Sequence, residues 1–375
     1  MGRPGRARRT GALRKAHRPQ ARPRPHRQSR LGNQPGCPQS YCKDGGTSRM
    51  SRWTGKVLTL GALTASALLF YAWGGERPRM VLRRYRLHLP ELAGLRLLHL
   101  SDQHFGPDNW IRRSRLRRIR AWLSQLQPDL ILLTGDFLHN DAGLDAVEMM
   151  LQALPPARFG AYAVLGNHDY VEYSYTEFFG NAWQQIRQAT TPSQRLATAW
   201  QETKRLLELA WQIYRNDRLR FAAVPNNTRE LVALLEMYGV EVLNNRACDL
   251  SADAGLWVAG VDDPIEGHPD LAGTLAQVPS DAPLILLTHN PDLAYEPAAA
   301  RAALILAGHT HGGQVILPGL GAIHTQGTHL PRQKPAGHFD NLPGRSQMIV
   351  SRGMGESTPF RFRCPPEIVV IDLVP

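Results

Sequence analysis

Acidic residues are almost missing from the first 49 positions, cysteine is scarce, and only one long uncharged apolar run occurs. Each shortage excludes something. The 375-residue chain has four cysteines. Cys37 and Cys42 lie in a proline-containing N-terminal stretch, and Cys248 and Cys364 stand far apart. The last two have no zinc-site spacing and read as isolated thiols rather than a disulfide. Residues 1–49 hold 13 Lys and Arg against one acid, Asp44, while the whole chain carries +12. The remaining residues therefore balance at 31 basic against 31 acidic. Basicity confined to a tail gives the body no nucleic-acid signature, so no nucleic-acid partner is expected. The tail has six prolines and no apolar period, and is expected to be disordered. It is either a basic arm for an anionic surface or a stretch upstream of a true start at Met50.

The one apolar run is Val57–Trp73, 17 residues without a charge. As a helix it would span about 25 Å, the short end of a bilayer crossing. Residues 50–78 are read as an uncleaved membrane anchor. The alternatives are a signal peptide cleaved at Ala72-Trp73-Gly74 and a buried core helix. With Met50 first, Arg77, Arg79, Arg83, Arg84 and Arg86 follow the run and would hold the next domain on the cytoplasmic side of the inner membrane. A translated basic tail would reverse that orientation.

Residues 79–375 suffice for one large α/β domain. Short apolar runs alternate with helical segments. Strands are expected at Leu95–Ser101, Asp129–Thr134, Ala161–Leu165, Val240–Leu243, Leu256–Val261, Leu284–Leu287, Ala303–Ala307 and Ile368–Leu373. Helices are expected at Leu116–Leu126, Leu144–Leu154 and Thr228–Tyr238. Residues 171–225 break this rhythm as an aromatic-rich helical insert, with Ser193–Arg215 strongly helical. It reads either as a hairpin packed on the domain or as a cap that meets an apolar part of the substrate or the bilayer.

Five short motifs follow these runs in order: Asp102-Gln103-His104, Gly135-Asp136, Gly166-Asn167-His168-Asp169, Thr288-His289-Asn290 and Gly308-His309-Thr310-His311. They offer carboxylate, amide and imidazole donors for two adjacent divalent cations, a set that suits Mn²⁺, Fe²⁺ or Zn²⁺. Asp136 is the natural bridging carboxylate. Asp102 and His104 are two apart on one strand end, so both can point at one metal; His309 and His311 are likewise two apart and flank the pair of cations. Asn167 adds an amide oxygen and His289 another imidazole. His168 can sit near both cations without binding either, and is the candidate for protonating a leaving oxygen. His139 is either a helper residue or an exposed loop histidine.

This ordered pattern resembles the calcineurin-like metallophosphoesterase superfamily over about residues 90–373. Gly308–Gln314, Gly260-Val261-Asp262-Asp263 and Arg352-Gly353-Met354-Gly355 with Pro365-Pro366-Glu367-Ile368 look like its bacterial YkuE- and YaeI-like branch, which includes UDP-2,3-diacylglucosamine diphosphatases. The resemblance implies a four-layer αββα sandwich, two β-sheets flanked by helices. It implies one metal on Asp102, His104, Asp136 and His311 and another on Asp136, Asn167, His289 and His309. A metal-bridging hydroxide would attack phosphorus, with His168 assisting. The expected substrate is a phosphorylated small molecule or lipid, such as a lipid-linked UDP-sugar, at a membrane. The competing readings are a generic phosphodiesterase or nuclease of the same superfamily, and a cell-envelope regulatory protein.

Overall fold

The structure, a computed structural model, describes residues 47–173, 188, 190–218, 222–344 and 346–375. The basic tail, Cys37, Cys42 and the insert aromatics Tyr175, Phe178, Phe179, Trp183 and Phe221 lie outside the described residues.

Two six-stranded sheets form the domain. The first runs Val81–His88, Glu367–Val374, Arg96–Leu100, Leu130–Thr134, Ala161–Val164 and Val240–Val242 in spatial order. The second runs Gly337–Phe339, Gln347–Val350, Leu304–Ala307, Leu284–Leu287, Leu256–Gly260 and Arg246–Leu250. Within each, the central strands are parallel apart from the antiparallel neighbour Arg96–Leu100 beside Glu367–Val374.

Alternation along a strand explains the continuous apolar runs. Leu130 and Leu132 join Leu97, Val258, Ile285 and Leu306 in a core made from both sheets. Ile131 and Leu133 point the other way, toward helices Trp110–Leu123, Leu144–Leu151 and Thr228–Met237 through Ile119, Val147 and Leu235. Leu284, Leu286 and Ile305 similarly pack outward with Leu275 and Ala299. Inside a strand covered on both faces a polar residue needs a buried partner, as His99 has in Thr134 at 2.8 Å. The polar motifs therefore begin where the strands stop.

Helix Trp110–Leu123 starts six residues before the expected boundary, because Asn109 caps it by accepting from the N–H groups of Ile111 and Arg112. The strand Val81–His88 was not expected. It pairs in parallel with Glu367–Val374 at the far end of the chain, and Arg83 meets Glu367 at 2.8 Å across that pair.

Helix Thr47–Phe70 contains most of the apolar run. The helical segment Lys56–Gly75 is long and apolar enough to cross a membrane, with a mean hydropathy of 1.6. Its side chains are mostly exposed, unlike those of a core helix. At its end the chain is tied to the domain. Arg361 N–H donates to the Ala72 carbonyl, and the buried Glu76 carboxylate accepts from the N–H groups of Arg363 and Cys364.

The insert contributes one long helix, Pro192–Arg215, capped by Thr191 and Gln194. Leu196, Trp200, Leu207, Trp211 and Tyr214 form an exposed apolar stripe at helical spacing. The insert is stemmed by the antiparallel pair Val171–Tyr173 and Ala223–Pro225.

Candidate metal centre

The motifs gather at the C-terminal ends of the parallel strands, where open α/β sheets place their sites. The backbone there is unusual. Asp102, His104, Asp136, His309 and His311 all have positive φ, between 45° and 68°. Each such residue costs roughly 1–3 kcal/mol, so the surrounding fold must hold it. Two glycines show why the motifs begin as they do. A Cβ on Gly166 would lie 2.3 Å from Asp136 Oδ1, and one on Gly308 would lie 2.3 Å from Asp102 Oδ2. Any side chain there would push a carboxylate out of the centre.

Asp136 sits in the middle. Its Oδ2 lies 3.2 Å from both His104 Nε2 and His289 Nε2. Its Oδ1 accepts the backbone N–H of His168 at 2.8 Å. Asp102, His104, Asp136 and His311 bring their donor atoms within 4.8 Å of one another. On the other side, His309 Nδ1 lies 3.1 Å from Asn167 Oδ1 and 3.3 Å from His289 Nε2. All seven expected ligands are thus in one buried cluster.

The imidazoles are fixed but unsatisfied. His289 Nδ1 donates to the Thr134 carbonyl at 2.7 Å, which leaves Nε2 facing Asp136. His104 Nε2, His309 Nε2 and His311 Nδ1 are buried with no hydrogen-bond partner among the described residues. Buried polar atoms are normally paired, and orphans in a cluster of mixed nitrogen and oxygen donors fit cation ligands. Burial holds His309 neutral, with its pKa lowered to about 3, and lowers that of His311 well below the usual range. Neutral imidazole is the ligating form. For Asp136, burial alone would raise the carboxyl, but His289, His168 and His104 hold it well below the carboxylate range.

His168 is buried beside this cluster. Its ring packs edge-on against His104 at 4.5 Å and against Tyr173 at 4.8 Å, and its Nδ1 has no partner among the described residues. His139 is half-buried rather than an exposed loop residue, with its ring 5.9 Å from that of His168. Tyr173 hydroxyl donates to Glu266 and lies 3.4 Å from the Asn167 amide, so the insert stem touches the centre.

One supporting residue had been quoted in its motif but given no role. The Asp169 carboxylate accepts three backbone N–H groups, from Asp136 at 2.8 Å, Gly166 at 2.9 Å and Leu138 at 3.0 Å. It holds the Gly135-Asp136 turn in place. A carboxylate immediately after Asn-His was the available signal. Asp169→Ala leaves three buried donors unsatisfied at about 1–3 kcal/mol each. It is expected to lower the free energy of unfolding by roughly 3 kcal/mol or more, read from denaturant midpoints. An unchanged midpoint would remove Asp169 from this role.

The family model for calcineurin-like phosphoesterases matches residues 95–313. The chain is 28% identical to the UDP-2,3-diacylglucosamine pyrophosphatase LpxG of Chlamydia trachomatis, over 84% of this chain and 97% of that protein. It is 26% identical to LpxG of Chlamydia muridarum, over 85% and 97% respectively. It is also 28% identical to the uncharacterized metallophosphoesterase YkuE of Bacillus subtilis, over 84% and 93%.

Proposed function

The chain belongs to the calcineurin-like phosphoesterase family and is a phosphoester hydrolase, and we propose that it cleaves the diphosphate of a lipid-linked UDP-sugar of the UDP-2,3-diacylglucosamine kind at a membrane surface. The observation that carries this reading is the joint presence of the complete donor cluster around Asp136 and full-length similarity to two proteins named for that reaction.

Asp102, His104, Asp136 and His311 would hold one divalent cation, and Asp136, Asn167, His289 and His309 the second. Mn²⁺, Fe²⁺ and Zn²⁺ suit such donors. Bound there, the cations supply Lewis acidity toward the phosphoryl group and its nucleophile. The chain supplies the rest. Asp169 and Thr134 fix the carboxylate and imidazole that do the holding. His168, with its Nδ1 unpartnered among the described residues and its backbone N–H on Asp136, is placed to donate a proton to the departing oxygen. The apolar stripe of Pro192–Arg215, whose stem reaches Asn167 through Tyr173, suits an acyl-bearing substrate or the bilayer that carries it.

The anchor reading is supported by the tie of Ala72 to the domain, which cleavage after Gly74 would remove. N-terminal sequencing of protein taken from membranes is expected to find residues upstream of Ala72. A mature terminus at Gly75 would overturn retention.

The direct test supplies full-length protein in detergent with Mn²⁺ and compares UDP-2,3-diacylglucosamine with bis-p-nitrophenyl phosphate. The acylated nucleotide-sugar is expected to have a kcat/KM at least about 100-fold higher, the scale at which binding of remote groups is used in the transition state. Turnover of the generic diester alone would defeat the substrate assignment while leaving the phosphoesterase intact.

A further inference from the structure

Beside the metal centre lies a cleft of about 290 Å³ whose walls include Arg77, Gln103, His104, Arg112, Arg115 and Glu356. His104 belongs to both the cleft lining and the donor cluster, so the cleft adjoins the centre. The volume is at the lower end of those of ligand sites.

Its chemistry is lopsided. Three guanidinium groups face one carboxylate. Glu356 pairs with Arg77 and Arg115, which leaves Arg112 as the excess cation of the lining. The partners of Arg112, Asp108 and Asp145, stand outside the lining and are substantially exposed. Arg112 itself is nine-tenths buried; its Nη1 and Nη2 pair with Asp145, and its Nε stands 3.3 Å from Asp108 Oδ1. Arg115 donates through Nε to the Arg77 carbonyl and through Nη2 to Glu356, with no bond from Nη1 among the described residues. Gln103 is 2% exposed, and its Oε1 has no partner among the described residues. The cleft therefore combines two guanidinium groups, Arg115 with an Nη1 unbonded among the described residues and Arg112 held by exposed carboxylates that a phosphate could replace, with one spare buried acceptor. Fixed guanidinium forks match phosphate, and the free amide oxygen matches a hydroxyl or an imide N–H.

We propose that this cleft is the subsite for the second phosphate of a diphosphate substrate, with Arg112 and Arg115 as its donors and Gln103 Oε1 accepting from a hydroxyl or N–H next to that phosphate. A monoester presents one phosphoryl group, which the metal centre itself would satisfy. A diphosphate needs an adjoining place for a second anion, and His104 borders both places. The proposal rests on the diphosphate reading given above. The second phosphate could belong to the nucleoside half or to the sugar half of the substrate.

The test is calorimetric binding to full-length, Mn²⁺-loaded protein in detergent. The probes are uridine monophosphate, N-acetylglucosamine 1-phosphate and inorganic phosphate. One organic phosphate is expected to bind at least about tenfold more tightly than inorganic phosphate. Arg112→Gln is expected to weaken that ligand roughly 10- to 100-fold, the scale of one charge-assisted hydrogen bond, with a much smaller change for inorganic phosphate. Arg112 also bonds to the carbonyls of Gly106 and Ala142, so its loss can disturb folding. Pro359→Glu serves beside it. That residue is exposed on the cleft wall, and a carboxylate there is expected to weaken the same ligand at least about fivefold by like-charge repulsion.

Selective weakening of uridine monophosphate would assign the nucleotide half, and of the sugar phosphate the sugar half. Organic phosphates that bind no better than inorganic phosphate, or variants that shift all three alike, would overturn the subsite. Wild-type protein that shows the selective binding but hydrolyses no diphosphate would sink the diphosphate reading and leave the anion subsite standing. Hydrolysis without the binding pattern would do the opposite.

Discussion

Asp136→Ala is expected to lower kcat on any phosphoester by at least roughly 10³-fold, the upper scale for losing a principal electrostatic group in a closed site. The same variant is expected to lose bound metal by elemental analysis. The reason is its position. One carboxylate oxygen stands 3.2 Å from two imidazoles that belong to opposite halves of the donor cluster, and the other receives the backbone of His168. No other carboxylate is in that position among the described residues. Removing it breaks the shared element between the two ligand sets and also frees the helical turn Asn167–Tyr170 that carries His168. The local damage extends beyond one ligand, so Asp136→Asn is the sharper comparison. Asparagine keeps the shape and one oxygen acceptor but removes the charge that two cations would share. A variant that retained both full metal content and full activity would remove Asp136 from the bridging position.

The centre was legible in the sequence because its residues lie immediately after the strands that carry them. An apolar run that ends in Gly-Asp or Gly-His states both where a strand stops and which donor stands at its end. The two-sided core demanded those continuous runs, so Asp129–Thr134 and Leu284–Leu287 could be read directly. Residues that act through distant partners could not. The strand Val81–His88 carries three arginines among its apolar residues, and without its partner they read as a cytosolic flank of the anchor. Its pairing is with residues more than 280 positions away. Gln103 stands between two expected ligands, yet only the three-dimensional cleft shows that its amide oxygen is buried and free. Asp169 had a visible carboxylate, but nothing in the order of residues showed that it would accept N–H groups from the turn at Asp136.

Glu356 is the other residue whose weight appears only in the fold, and its removal is expected to be the most destabilising change outside the centre. Its side chain is 5% exposed and contacts Arg77 and Arg115, with Arg361 at 3.9 Å. Arg361 is fully buried and donates to the carbonyls of Cys364, Arg352 and Gly355, while Cys364 Sγ lies 3.3 Å from the His311 carbonyl. One carboxylate therefore neutralises guanidinium groups that tie the end of the apolar helix, the helix Trp110–Leu123 and the loop behind His311. Glu356→Ala leaves those cations buried without their counter-charge, which is expected to cost about 3–5 kcal/mol. The fall would be read from the denaturant midpoint at neutral pH. Burial alone would raise the Glu356 carboxyl, but Arg115, Arg77 and Arg361 hold it below its ordinary value of 4.5. Its contribution is therefore complete above about pH 4.5 and is lost as pH falls through the lower folded value. Wild-type stability should decline over that acid window, and Glu356→Gln should be less stable at neutral pH but decline less across it. Parallel pH profiles for the two proteins would show that this carboxylate is not what links the three arginines. A similar neutral-pH midpoint would show that the arginines find solvent or other partners when it is removed.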